Sequence, residues 1–270
     1  YISVTGVQTC ALPISAPSRP EPEAQAFVPA MSVRPPDRRG PRIIVIDAGH
    51  GGSDPGASGT DVREKVVTLA AAQALKTRLE KTGRYKVILT RSSDVYIPLE
   101  ARVGVARQAG ADLFISLHAD AGPNASLRGA SVYTLSERGQ DRAAKKVLRR
   151  DDWFRSVALP GRDPVVDRIL LDLTQRSTRN RSAGFAKLLL DRLDDRTFLL
   201  QRSHRDAGFV VLLAPDVPAV LLEMGFITNP DDEAALLDPK RRGRLMDGVA
   251  EAVDDYFFGQ NGARTTAALP

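Results

Sequence analysis

The sequence predicts an α/β fold: a single domain with a mostly parallel or mixed six-stranded sheet flanked by helices on both faces. Three observations carry this expectation. Six short runs rich in Val, Ile and Leu recur along the chain, as in strands covered on both sides. Helix-period segments alternate with them, the order that builds strand–helix–strand units. The 270 residues are 43% hydrophobic and 26% charged with both signs mixed, which suits an ordinary soluble domain with a substantial core.

In chain order, residues 1–41 hold eight of the eighteen prolines and no apolar period, so they read as a disordered leader or linker. The first fifteen, YISVTGVQTCALPIS, resemble a translated sequencing adapter. The start at Tyr1 rather than Met suggests a fragment whose natural beginning, with any signal sequence, is missing. The folded part runs over 42–258. Expected strands are Arg42–Gly49, Tyr85–Arg91, Leu113–Asp120, Gly129–Leu135, Phe209–Ala214 and Ala219–Phe226. Expected helices are Glu64–Lys81, Pro98–Gln108, Glu137–Asp152, Ser182–Asp194 and Pro239–Tyr256. Pro98 in a first turn and Gly83 after a basic last turn are start and stop signals. Residues 259–270 are small and polar and read as a flexible tail.

One region is irregular. Arg149–Arg181 interrupts the strand–helix alternation with DDWFRSVALPGRDP and then the amphipathic VVDRILLDLTQRSTRNRSAGF. Core connections are usually about 2 to 6 residues long, so an insertion of this length is either a surface elaboration or a movable lid or partner-binding arm.

Charge and composition exclude several classes. Thirty-eight Lys and Arg against thirty-three Asp and Glu give +5, a mild excess that favours acidic surroundings without specifying a partner. Cys10 is the single cysteine, which rules out an intrachain disulfide and a Cys-based zinc knuckle. No apolar run reaches transmembrane length. The basic stretch RAAKKVLRR, next to Asp151, Asp152 and Trp153, reads as a solvated helix face; no nucleic-acid motif accompanies it. Ser116 lies inside the third strand and no G-x-S-x-G elbow exists, which speaks against a serine triad.

The residues suited to chemistry fall at strand ends, where sheets of this kind collect their ligands. Of three histidines, His50 leaves the first strand in IDAGHGG and His118 ends the third in ISLHADA. Two imidazoles and a carboxylate with a fourth position open form a recurrent catalytic zinc arrangement. Glu64 is one candidate carboxylate, following the Gly-rich loop GGSDPGASGTDVR; its plainer role is a favourable charge in a helix first turn. That loop lacks the GKS or GKT ending of a phosphate loop. Glu223 interrupts the apolar run AVLLEMGFI, where an unpaired charge is costly. It is either a general acid/base beside the metal or an arginine-paired structural carboxylate. Asp47 and Asp120 flank the histidines and either orient imidazole N–H groups or cap loops. His204, in SHRDAGF, precedes its expected strand and reads as a surface or loop histidine.

These motifs, in this order and spacing, resemble the catalytic domain of the zinc-dependent N-acetylmuramoyl-L-alanine amidases of bacterial cell division. The resemblance runs over roughly 42–257 and rests on IDAGHGGSDPGA, the R-E-K entry at Glu64, LTRSSDVYIPLEAR, ISLHADA and VLLEMGFITNPDDE. It implies one catalytic Zn2+ held by His50, Glu64 and His118, with Glu223 as the catalytic glutamate. It implies hydrolysis of the amide between the lactyl group of N-acetylmuramic acid and L-alanine in peptidoglycan, in a periplasmic or otherwise extracytoplasmic setting. The insertion, about 137–181, resembles the regulatory segment of these enzymes, in which a helix blocks the zinc site until a LytM-domain activator displaces it. The position of Ser177, often acidic in such relatives, departs from that pattern and leaves the plugging carboxylate unassigned.

Overall fold

The structure is a computed structural model, and it describes residues 40–137, 139 and 164–259, with the backbone alone for 164–171. The leader, the tail and most of the expected Glu137–Asp152 helix lie outside the described residues. Six strands, β1 (Arg42–Ala48), β2 (Tyr85–Leu89), β3 (Leu113–Asp120), β4 (Ala130–Leu135), β5 (Leu199–Ala207) and β6 (Ala219–Phe226), form one sheet in the order β2-β1-β3-β6-β4-β5. All neighbours pair in parallel except β4 with β6. The helices are α1 (Glu64–Lys81), α2 (Leu99–Gln108), α3 (Pro164–Leu193), α4 (Pro230–Leu237) and α5 (Pro239–Phe258). The mixed six-stranded sheet with helices on both faces is as the sequence predicts.

Strand alternation divides the core in two. Ile44, Ile46, Leu113, Ile115, Leu117 and Leu222 point to the face covered by α1, α3 and α5, meeting Leu75, Phe185, Leu189 and Val249. Val45, Phe114 and Leu221 point the other way, onto Val103 and Ala106 of α2 and onto Val211 and Leu212. Burial on both sides explains why β1, β3 and β6 read as continuous apolar runs. Helix ends follow their sequence signals. Asn229 accepts from the Asp231 and Asp232 N–H groups and Pro230 opens α4; Asp238 caps α5 ahead of Pro239. Gly83 adopts the left-handed region, φ 69°, just past α1.

Two expectations are corrected. The fifth strand is Leu199–Ala207, whereas the expected strand Phe209–Ala214 contains a short 3-10 turn at Val210–Leu212. Those apolar side chains fill the space beneath α2 without joining the ladder. The helix expected over Ser182–Asp194 begins much earlier, at Pro164, so the second part of the irregular region is helical. Its residues 172–177 are exposed or half-buried, and burial starts at Thr178. Among the described residues no helix is long and apolar enough to cross a membrane.

Candidate metal centre and active site

The chain leaves β1, turns through α1 to β2 on one side of it, and later places β3 on the other side. The crevice at the carboxyl ends of β1 and β3 is therefore a point where strand order reverses, the preferred ligand position in open α/β sheets. His50 follows β1 and His118 lies near the end of β3. Their rings meet nearly edge-on with centroids 5.0 Å apart. Gly49 between strand and histidine has to be small, because a Cβ there would strike the His118 ring. His50 itself has φ 61° and is the one non-glycine residue with positive φ among the described residues.

Two buried arginines hold this turn. The Arg102 guanidinium donates to the carbonyls of Ala48 (2.8 Å) and His50 (2.7 Å) and pairs with Asp47 at 2.9 Å. Arg91 donates to the carbonyls of Ala48 and Gly49, both at 2.9 Å. Carbonyls that leave the β1 ladder are thus satisfied in the interior, where an unmet acceptor would be costly.

Glu64, the first residue of α1, reaches between the histidines. Its Oε2 lies 3.0 Å from His50 Nε2 and accepts from the Ala57 N–H at 2.8 Å. Its Oε1 lies 2.9 Å from His118 Nδ1 and accepts from the Ala119 N–H at 3.0 Å. Burial alone would raise the pKa of Glu64, but hydrogen bonds from His118 and His50 outweigh it and hold the carboxyl well below its usual range. For His50, burial pulls the pKa down, and the Glu64 and Asp54 carboxylates more than restore it, to a net rise. The second ring nitrogen, Nδ1, meets Asp54 Oδ2 at 2.8 Å.

One ligand atom each from His50, Glu64 and His118 lies within 4.8 Å of the others. Two imidazoles and one ionised carboxylate, with a carboxylate behind one imidazole, are the donors expected of a metal site with a supporting partner. The residues present therefore fit a bound divalent metal.

Glu223 sits beside this triad. It is the register partner of His118 across β3–β6, with a bulge immediately beyond and Gly225 at φ 151°. Such bulges re-aim side chains next to functional sites. Glu223 is 8% exposed, and its Oε2 is buried without a hydrogen-bond partner. Burial first, then the charges of Asp120 and Glu64, push its pKa well above the ordinary value, against the opposing charge of Arg205.

The sequence reading of the flanking residues needs revision. Asp47 is not turned to an imidazole: it is fully buried, taken up by Arg102, Thr90 Oγ1 (2.6 Å) and Ser116 Oγ (2.7 Å). Asp120 accepts from the Ala121 N–H and acts on Glu223 through its charge. Asp54 has the place expected of them. His204 is exposed as expected but lies within β5, near Thr134 Oγ1 at 3.0 Å. Arg102 was also missed, although a signal exists: Leu99, Arg102, Val103 and Ala106 share one helix face, and Arg102 stands where an apolar residue belongs.

A mixed α/β sheet carrying a His–Glu–His triad at its strand ends, with a second buried glutamate alongside, has the build of a metal-dependent hydrolase. The chain belongs to the N-acetylmuramoyl-L-alanine amidase family, whose family model matches residues 44–255; that family is metal-dependent. It is 37% identical over 237 residues to the amidase AmiC of Escherichia coli O6:H1, covering 85% of this chain and 57% of the relative. It is 40% identical over 223 residues to AmiA of Escherichia coli K12, covering 81% and 77%. Thus the chain spans a little over half of the first relative's length. Among solved structures, the catalytic domain of CwlV, an amidase from Bacillus (Paenibacillus) polymyxa var. colistinus, aligns with a TM-score of 0.58 at 26% identity, covering 80% of this chain and 97% of that one.

Proposed function

We propose that this protein hydrolyses the amide between the lactyl group of N-acetylmuramic acid and L-alanine in peptidoglycan, with Zn2+ held by His50, Glu64 and His118. The observation that carries the reading is Glu223: a buried carboxyl with an unpartnered oxygen, in register with His118. Sequence similarity to named amidases supports the bond and the substrate.

When bound, the metal supplies Lewis acidity toward the scissile carbonyl and acidifies the attacking water. The protein's own groups do the rest. Glu223 takes a proton from the attacking water and returns it to the departing alanine nitrogen, a general acid/base role. Its raised affinity for a proton, set by burial and by its acidic neighbours, suits the donating half of that cycle. Glu64 stays ionised because His118 and His50 hydrogen-bond to it. Asp54 fixes the orientation of the His50 ring, and Arg102 with Arg91 keeps the backbone beneath it in place. No nucleophilic side chain or covalent intermediate is required.

The irregular region supplies regulation in this proposal. The first described side chains of α3 are exposed, with Leu173 56% accessible, and in this reading the segment before them is a blocking arm. A LytM-domain activator would displace that arm from the site, in the periplasm or another extracytoplasmic compartment. The test is mass spectrometry of muropeptides after incubation with the zinc-loaded chain, its Glu223→Gln variant, and a variant with residues 151–171 replaced by a short flexible linker. The expected products are intact stem peptides beginning at L-alanine, more abundant with the linker variant and formed far more slowly by Glu223→Gln. Cleavage at another bond, or equal rates for the parent and Glu223→Gln, would overturn the reading.

A further inference from the structure

We propose that Arg205, held over the Tyr133 ring beside the active site, binds a free carboxylate on the peptide side of the scissile amide and makes the protein selective for acidic stem peptides. The inference rests on the amidase reading and adds to it the direction in which substrate lies and the group that is recognised.

Register places Arg205 on the same face of the sheet as Glu223. Arg205 of β5 pairs with Tyr133 of β4, Tyr133 pairs with Leu221 of β6, and Ser131 pairs with Glu223. Paired residues, and residues two apart, share a face. The Arg205 guanidinium lies 5.1 Å from the Tyr133 ring centroid, and Phe209 packs edge-on against the same ring at 5.2 Å. A guanidinium held over a ring face by its charge still has N–H groups to offer a bidentate partner. Arg205 is exposed. Among the described residues it makes no ion pair, whereas Arg102, Arg107, Arg128, Arg192 and Arg196 all engage carboxylates. Its charge is nevertheless felt at Glu223.

Distance fits a short stretch of substrate. Two strand spacings, about 10 Å, combined with an offset of two residues along the strand, about 7 Å, set the Arg205 and Glu223 backbones about 12 Å apart, of which two extended substrate residues cover about 7 Å. The long side chain of Arg205 spans the remainder. A group bound there sits about two residues from the bond beside Glu223. On the glycan side the lactyl carboxyl is consumed in the amide, so the carboxylates of such a substrate are on its peptide. The peptide therefore runs toward β4 and β5, and the sugar toward the opposite side of the site. The ring beneath Arg205 holds the guanidinium ready, which lowers the ordering cost of binding.

The test uses the zinc-loaded full chain and two soluble muramoyl-tripeptides whose second residue is a glutamate joined to the third through its side-chain carboxyl, and which differ only in whether that glutamate's α-carboxyl is free or amidated. The expected result is a kcat/KM higher by about tenfold or more for the free acid, as for a charge-assisted hydrogen bond. Arg205→Gln should lose that preference by slowing on the acid alone, and Arg205→Lys should keep part of it. Equal losses on both substrates, or no preference in the parent protein, overturn the proposal. Should neither the parent nor the variant with residues 151–171 replaced by a linker cleave either substrate, the amidase reading fails, and calorimetric titration with the two free tripeptides decides the present one. Tighter binding of the acid that disappears in Arg205→Gln supports it; binding that does not depend on Arg205 or on the carboxylate refutes it.

Discussion

Glu64 and Glu223 are two buried glutamates at one site with opposite surroundings. Glu64 meets two imidazole nitrogens and two backbone N–H groups, and its pKa is held down. Glu223 has a buried oxygen with no partner and acidic neighbours, and its pKa is pushed up. In the proposed reaction the same side chain thereby serves as a permanent anion in one place and as a proton carrier in the other. Environment, not residue type, divides the work, a pattern familiar from other paired-carboxylate enzymes.

The largest test of this contrast is Glu64→Gln, which leaves an amide where both histidines face an anion. Metal content measured by elemental analysis should fall close to zero, and hydrolysis with it; a variant that retains stoichiometric metal would remove Glu64 from the ligand set. Next comes Glu223→Gln, with metal and fold retained and the rate lowered by about 10²- to 10⁴-fold, the usual contribution of a general acid/base. A smaller effect is expected for Asp54→Asn, which weakens the support behind His50: metal affinity, read by competition with a chelator, should drop by about 10- to 100-fold.

The smallest effect concerns stability without metal. A carboxyl whose pKa is raised by folding opposes folding above its unfolded value near 4.5 and ceases to do so once pH falls below it. Metal-free Glu223→Gln should therefore melt higher than its parent at pH 7, by about 2–4 °C for each kcal/mol of relief. The gain should vanish near pH 4. Glu64 has the opposite sign: its depressed pKa stabilises the protein above the ordinary carboxyl range, and that contribution is lost as pH falls. A melting-temperature series across this range, run on both variants, separates the two glutamates directly.

Legibility in the sequence followed burial. β1, β3 and β6 are covered on both faces and announce themselves as apolar runs, and with them came His50, His118 and Glu223. β5 is an edge strand whose residues are mostly exposed. Its text, LLQRSHRDA, carries no apolar alternation because little of it is buried. The neighbouring FVVLLA looks like a strand because it is buried, yet its burial comes from packing beneath α2. At the site, the placement of Glu64 between two histidines depends on a helix start meeting two strand ends, which no local pattern encodes. The roles of Asp47 and Asp54 escape the sequence for a similar reason: both are near His50 in the chain, but the pleat turns Asp47 toward Arg102 while the loop returns Asp54 to the ring.

With His50 as a ligand in the proposed metal set, its left-handed backbone bears on how metal preference can change in this protein. Exchanging a ligand for one of different hardness is the direct route to another metal, but here the replacement must also tolerate φ 61°. Asp and Asn accept that conformation more readily than most residues, whereas β-branched and bulky side chains do not. Selection for altered metal use would thus find few single steps open at His50. His118 lies within β3 and has no positive φ, so in the proposed metal set it is the position from which such drift can begin.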